Sequence, residues 1–229
     1  MPVSLLTMVR LPRAAIVVVL TGGAVWWACA ERTRELPVGS LPPAPTGTFT
    51  CSSRCGVERW AVKTLSDPDR QRVDLQPQPT SIAQLTRLDR PAHLRDNRRA
   101  RPVETTVFQI DARLIEWRNE PDDDWHLLLA DPDDPSRTLI AEIPHPRCPG
   151  VCRSGLAEWY AAARDSLHAL LNERRPANEP PLLRVSGVGF FDRAHGQTAA
   201  APNQLELHPV LRITHVPHDN REPDPLRPR

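Results

Sequence analysis

The sequence predicts an α+β domain that is mainly β: a five-stranded barrel of the OB type, with one helix between its third and fourth strands. Two observations carry this prediction. Three segments with strand-like patterns precede a strongly amphipathic helical segment, and two more strand-like segments follow it. Other small α+β domains can share this order of elements, so they stay open as alternatives.

The first three predicted strands precede the helix. In 104–117, apolar residues occupy alternate positions from Phe108 to Leu114, the pattern of a strand with one buried face. Segments 125–131 and 138–143, "WHLLLAD" and "TLIAEI", read as shorter strands. The sequence "PDDPSR" between them is typical of a tight turn.

The predicted helix lies near 154–173, where apolar residues from Leu156 to Leu171 recur at the spacing of one helical face. Segments 182–191, "LLRVSGVGFF", and 205–216, "LELHPVLRITHV", supply the last two strands. The predicted order is therefore strand, strand, strand, helix, strand, strand.

Residues 1–30 have the layout of an export signal. Arg10 and Arg13 precede an uncharged apolar run over 14–30, which ends in the small-residue motif Ala-Cys-Ala. An uncleaved membrane anchor formed by the run, or lipidation of Cys29, are the alternatives. The sequence thus predicts an exported protein, periplasmic or secreted, that contacts a membrane only through this segment if it is retained or lipidated.

The full chain contains 26 prolines, and composition divides the part that follows residue 30. Residues 31–57 are rich in Pro, Gly, Ser and Thr and read as a flexible linker. The predicted globular domain spans 58–216, and near its start "VERWAVKTLSD" suggests one further short strand. Within the domain, 66–102 is a long polar, proline-broken loop, and 217–229 is a disordered tail.

The cysteine pattern also indicates export. Apart from Cys29 in the signal, Cys51, Cys55, Cys148 and Cys152 form two C-x3-C pairs. An even set outside the cytosol predicts disulfides, and four cysteines allow three pairings. A four-thiolate zinc site is the alternative, although such sites favour C-x2-C spacing.

The charge of the chain gives little indication of a polyanionic partner. The net charge is +1, and Lys63 is the only lysine among 29 Lys and Arg residues. A nucleic-acid partner would therefore need a local basic patch, which Arg95, Arg98, Arg99 and Arg101 could supply. A solvated polar loop is the simpler interpretation of these arginines.

Alternation along the last predicted strand assigns its two faces. Leu205 and Leu207 point into the core, whereas Glu206 and His208 point to the outer, solvent-facing side. A one-residue slip of register would bury the charged pair and expose the leucines, so both penalties favour the same register.

Several polar residues can be interpreted either as solvated surface groups or as one site. The site would gather two imidazoles and carboxylates suited to a divalent metal or to acid–base chemistry. Its candidates are His126, Asp131, Glu142, His195, Asn203, Glu206 and His208. His195 and Asn203 lie in the loop between the last two strands, where they can also simply hold a turn. No cofactor follows from the sequence.

Three motifs, "WHLLLADPDD", "AEIPHPRC" and "GVGFFDRAHGQTAAAPNQLELHPVL", resemble those of a widespread group of exported bacterial proteins of unknown function. The resemblance covers roughly residues 58–215. It implies a shared OB-like fold and secretion, and it supplies no catalytic residues.

Three functions are compatible with these patterns. The first is a non-catalytic, envelope-associated or extracellular binding module for an envelope component or a small ligand. The second is a metal-dependent, nuclease-like hydrolase that uses the His/carboxylate cluster, since one known nuclease is an OB barrel. The third, a nucleic-acid-binding barrel, is disfavoured because the expected contact loop "RNEPDDD" would repel phosphates.

Overall fold

The computed structural model describes residues 51, 55–56, 58–152, 154–173, 180–194 and 199–216. The predicted signal or anchor, most of the linker and the C-terminal tail lie outside these residues. None of the helices in the described ranges is long and apolar enough to cross a membrane.

The described residues form six strands and four α-helices. The strands are β1 (Asp74–Pro79), β2 (Thr106–Asn119), β3 (Trp125–Ala130), β4 (Thr138–Ile143), β5 (Leu182–Phe191) and β6 (Leu205–His215). The helices are α1 (Trp60–Lys63), α2 (Ile82–Leu85), α3 (Pro149–Cys152) and α4 (Ala157–Asn172).

Five of these strands close into a barrel. Their order is β2-β3-β4-β6-β5, and β5 pairs back with β2. All of these pairs are antiparallel except β4 with β6. Because α4 lies between β4 and β5 in the chain, the barrel has the predicted OB-like order, and the predicted fold class is confirmed.

The segment 66–102 contains more regular structure than a loop. It includes a 3₁₀ turn, β1 and α2, and the N-cap Ser81 of α2 forms a capping box with Gln84. In the sheet β1 pairs only with β2, in parallel. Pro77 and Pro79 fit this edge strand because an edge does not need every N–H as a donor. The prediction of a long polar loop is therefore wrong for residues 70–85, which contain these elements.

The barrel interior is apolar, as strand periodicity predicts. Leu205 and Leu207 are both 0% exposed and point inward. Helix α4 packs mainly against β6 and buries Tyr160, Ala163 and Leu167, the stripe predicted from the sequence. The Tyr160 hydroxyl donates to the carbonyl of Thr64 at 3.2 Å. This bond joins the helix to the segment that follows α1.

The segment around α1 covers the outer face of β5. The sequence suggested a strand here, and that prediction is wrong: residues 60–63 form α1. The Arg59 guanidinium donates to Glu104 Oε1 at 2.6 Å and to Glu104 Oε2 at 2.9 Å, and it lies 4.8 Å from the ring centroid of Phe190. Glu104 also accepts the backbone N–H of Phe191 at 2.9 Å. These contacts anchor the segment to the barrel.

Two disulfides join the start of the described chain to α3 and the residue just before it. Cys51 bonds to Cys152 and Cys55 bonds to Cys148, with Cα separations of 6.2 and 5.7 Å. The prediction of disulfides is confirmed, and the zinc-thiolate alternative is excluded because all four sulfurs are bonded to one another. The tertiary structure selects one of the three pairings. Two disulfides indicate an oxidising environment.

Candidate functional site

The outer faces of β3, β4 and β6 carry one row of polar side chains. His126 lies opposite Glu142, and the parallel pairing of Ile140 with Glu206 places Glu142 level with His208. His126 Nδ1 is 2.8 Å from Glu142 Oε1, and His208 Nδ1 is 3.0 Å from Oε2 of the same carboxylate. Glu142 therefore lies between two imidazoles.

Asp124 completes this cluster from the residue just before β3. Its Oδ2 lies 3.5 Å from His208 Nε2, and its Oδ1 accepts the backbone N–H of His145 at 3.0 Å. One nitrogen of His208 and one oxygen each of Asp124 and Glu142 all lie within 4.8 Å of one another. We refer to Asp124, Glu142 and His208 as the triad.

The prediction that Glu206 and His208 face solvent is wrong. Glu206 is 2% exposed and His208 is 0% exposed. His126 and Glu142 are also buried, at 3% and 6%. The alternation along the strand is correct, since the leucines point inward, but the outer face is covered by other parts of the chain. A surface assignment for these four residues is therefore excluded.

An aromatic ring and a cation cover part of this face. Phe190 pairs with Glu206 across the sheet, and its ring centroid lies 5.6 Å from that of His208. Lys63 Nζ lies 5.3 Å from the centroid of the Phe190 ring and 3.8 Å from Asp192 Oδ2. Helix α1 thus places the only lysine of the chain against buried acidic groups.

Burial and neighbouring charges shift the pKa values of Glu142 and His208 in opposite directions. Burial would raise the pKa of Glu142, but the contacts with His126 and His208 outweigh it and hold this pKa well below its usual value. Burial would lower the pKa of His208, yet Asp124 and Glu142 outweigh it and raise this pKa to about 9. Glu142 is accordingly ionised at neutral pH, and in the protein alone His208 carries a proton.

The pKa values of Glu206, Asp124 and Lys63 are also shifted. Burial, followed by the negative charges of Glu142 and Asp192, raises the pKa of Glu206 well above its usual value. Burial also raises the pKa of Asp124, which contact with His208 partly offsets. For Lys63, the carboxylates outweigh burial and raise the pKa.

Some atoms of this cluster have no hydrogen-bond partner among the described residues. They are both ring nitrogens of His208, Oδ2 of Asp124 and Oε2 of Glu206. The carboxylates of the triad are close to the His208 ring but are not aligned with its N–H directions. Buried polar atoms in this state are uncommon in proteins and call for an explanation.

Other predicted site residues have structural contacts outside the cluster. Asp131 Oδ2 accepts a backbone N–H from α2 at 3.2 Å. Asn203 Nδ2 donates to the carbonyls of Leu85 and Leu88, both at 2.9 Å. These two side chains therefore fasten α2 to the barrel. His195 lies outside the described residues.

Sequence reasoning missed two members of the cluster. Asp124 was assigned to an acidic turn, although its position directly before a strand beside His126 could have indicated it. Lys63 was noted only as an isolated lysine. Its rarity in an arginine-rich chain was the available signal, but nothing in the local sequence connects it with residues more than sixty positions away.

A second candidate site is an open cavity of about 470 Å³, formed by residues that lie between α1 and β2 in the chain. Its lining is strongly basic: Asp69, Arg72, Pro91, His93, Leu94, Arg95, Arg98, Arg99, Ala100 and Arg101. Arg98 and Arg72 lie 3.2 and 3.5 Å from Asp69 Oδ1. Arg95 and Arg101 are exposed, and within the described chain their side chains make no ion pair.

Comparison with known proteins gives no relative: no family model, no curated protein and no solved structure matches this chain. The fold and the two sites define the class, an OB-like barrel with two disulfides, a buried His/carboxylate cluster and an arginine-lined cavity. Any more specific assignment depends on the chemistry of these sites.

Proposed function

We propose that this chain is an exported, non-catalytic binding module that takes a small phosphate-bearing ligand in the arginine-lined cavity. The observation that carries the proposal is the composition of the lining, which has five arginines and a single carboxylate, that of Asp69. The planar guanidinium fork matches the oxygens of phosphate in a bidentate manner. The apolar side chains of Pro91 and Leu94 provide contact area for the rest of the ligand.

The arginines of the cavity have different roles in this proposal. Arg99 is buried, and its guanidinium is fixed by Asp67 and by the carbonyls of Val62 and Glu104. It therefore shapes the wall. Arg95 and Arg101 are the cations available to a ligand, because binding them requires no existing ion pair to break.

Export is supported by the two disulfides and by the signal-like pattern of residues 1–30. The resemblance to exported bacterial proteins is consistent with this proposal. An extracellular or periplasmic module meets phosphate-bearing small molecules and envelope components, so both are candidate ligands.

The buried cluster does not favour the hydrolase alternative. A catalytic metal keeps one coordination position open to substrate. Here the members of the triad are at most 6% exposed, and none of them lines the open cavity. In the described chain, His93 and Asp69, the histidine and the carboxylate that line the cavity, form neither a hydrogen bond nor an ion pair with each other, so they are not a pair suited to acid–base chemistry on a bound phosphate.

The test is a titration of the full chain with phenyl phosphate, followed by calorimetry at low and high salt. We expect phenyl phosphate to bind and phenol not to bind, with affinity falling as salt rises. A charge-assisted hydrogen bond contributes on the order of 1.5 kcal/mol or more, so Arg95→Gln and Arg101→Gln should each weaken binding about tenfold. Arg137→Gln, an exposed arginine on the β3–β4 turn, is the matched control and should bind normally.

Two further measurements test the hydrolase and the nucleic-acid-binding alternatives. Release of phenol from phenyl phosphate by the full chain would support the hydrolase instead. Tighter binding of a single-stranded oligonucleotide than of phenyl phosphate, with the same dependence on Arg95 and Arg101, would support the nucleic-acid barrel. Equal binding by wild type and both arginine variants would refute the cavity as the site.

A further inference from the structure

We propose that the triad of Asp124, Glu142 and His208 binds one zinc ion, buried on the outer face of the barrel, through three protein ligands. This inference is independent of ligand binding in the arginine-lined cavity. An imidazole nitrogen with two carboxylate oxygens is a donor set that zinc accepts in proteins.

The spacing of the donor atoms is close to that required. Zinc lies about 2.0 to 2.2 Å from nitrogen and oxygen ligands, so tetrahedral ligand atoms are roughly 3.4 Å apart. The triad offers three donor atoms within 4.8 Å of one another, held by three different strand regions. Glu142 Oε2 faces Nδ1 of His208 and Asp124 Oδ2 faces Nε2, so one of the two carboxylates has to turn towards the ring nitrogen that binds the ion.

The orientation of His208 is the second, independent observation. Its ring is 0% exposed, and among the described residues neither nitrogen has an aligned hydrogen-bond partner, although carboxylate oxygens lie 3.0 and 3.5 Å away. A metal on the lone-pair axis of a ring nitrogen would have its other ligands to the side of that axis. A hydrogen-bonded imidazolium would instead have the oxygens on the axis.

Neighbouring side chains provide the outer contacts that metal sites use. His126 Nδ1 lies 2.8 Å from Glu142 Oε1, which leaves Glu142 Oε2 to face His208. Asp124 Oδ1 is held by the backbone N–H of His145, which leaves Oδ2 for the metal. Such outer hydrogen bonds fix the orientation of ligands and strengthen metal binding.

Charge balance also favours a bound cation. The triad has two carboxylates, and Glu206 and Asp192 are close by, so four carboxyl groups lie near two cations, Lys63 and the protonated His208. Buried carboxylates are stable only when they are paired or coordinate a metal. The four cysteines are bonded in disulfides and do not compete for the ion.

The experiment uses the full chain with its disulfides intact, treated with a chelator and then titrated with ZnCl₂. Native mass spectrometry should show one zinc per chain, and the thermal unfolding midpoint should rise with zinc. His208→Gln and Asp124→Asn should lower zinc affinity at least about 100-fold, and His126→Gln about 10-fold to 100-fold. His168→Gln, at an exposed position on α4, is the control and should bind zinc as the wild type does.

Failure of the variants to fold would not prevent a decision. X-ray absorption at the zinc edge of the wild-type chain should show nitrogen and oxygen ligands with imidazole scattering and no sulfur. The proposal is overturned if the folded wild type binds no zinc, if the bound zinc has sulfur ligands, or if folded His208→Gln and Asp124→Asn retain wild-type affinity.

Discussion

The ammonium nitrogen of Lys63 lies 3.8 Å from Oδ2 of Asp192, beside a barrel face that also buries Glu142 and Glu206. The Lys63 side chain is 14% exposed. The chain uses arginine everywhere else, yet here a compact ammonium is placed against an aromatic ring and several carboxylates. Through Lys63, α1 thus lies against the face that carries the cluster on β4 and β6.

Replacing Lys63 by methionine should destabilise the protein. The change removes the ammonium group beside the buried carboxylates. Removing one partner of a buried ion pair costs on the order of 3 kcal/mol. Urea unfolding of Lys63→Met against wild type measures this loss. Lys63→Arg keeps the charge and should lose less, and equal stability of wild type and Lys63→Met would contradict the prediction.

Glu206 should make the stability of the chelator-treated protein depend on pH. Its folded-state pKa is raised well above the usual 4.5, so stability that is present below pH 4.5 is lost as the pH rises towards the folded pKa. Glu206→Gln removes this loss and should be more stable than wild type at pH 7.5, by about 1.4 kcal/mol for each pH unit that separates the unfolded from the folded pKa. The difference should shrink at pH 4.

The matched control for this prediction is Glu116→Gln, because the Glu116 side chain is 55% exposed. It should change stability little at either pH. Thermal and urea unfolding at both pH values supply the measurement. A Glu206→Gln variant less stable than wild type at pH 7.5 would show that the carboxylate is needed in its ionised form.

The two disulfides should contribute non-additively. The two bridges have sequence separations of 101 and 93 residues, and their cysteines are neighbours at both ends. Either bridge alone therefore closes nearly the same long loop. Removing one bridge opens only the short ring between the two and should cost roughly 3 kcal/mol, whereas removing the second should cost roughly 5 kcal/mol more. Urea unfolding of Cys55→Ser/Cys148→Ser and of the four-serine variant tests this, and a simple sum of two equal losses would contradict it.

Adjacent residues on β6 should both be important for stability, for different reasons. Leu207→Ala should cost about 2 to 5 kcal/mol because it leaves a cavity in the barrel interior. His208→Ala should cost on the order of 3 kcal/mol because it removes the cation between two buried carboxylates. Chemical denaturation compares them. A loss below about 1 kcal/mol for His208→Ala would indicate that this face is open to water in solution.

Much of the fold could be predicted from local patterns. Strand-like apolar patterns located β2 to β6 to within two residues, and the apolar stripe located α4, because such patterns reflect packing against a core. Strand β1 was missed because Pro77 and Pro79 read as loop residues, and only pairing with β2 at an edge makes them a strand. Helix α1 was missed because four residues are too few to show a helical period.

The candidate site could be predicted only in part. Alternation placed Glu206 and His208 on the outer side of the last strand, and residue type grouped His126 and Glu142 with them as candidates for one site. The structure places all four together on the outer face. Asp131 and Asn203 were included for their residue types, but their partners in α2 are distant in sequence. Residue type and strand face do not show whether a polar side chain joins the buried cluster or hydrogen-bonds to a neighbouring segment. The outcome depends on which segment, distant in sequence, packs against that side chain.

Local sequence patterns were sufficient to show which side of each strand faces the barrel interior, where the main helix lies and that the cysteines pair. These properties follow from the repeat of strand and helix geometry and from the even cysteine count. The burial of the outer side from solvent, in contrast, is decided by the tertiary structure. Alternation distinguishes the two faces of a strand, but burial of the second face depends on α1, which Arg59 and Glu104 fasten to the barrel from 45 residues apart.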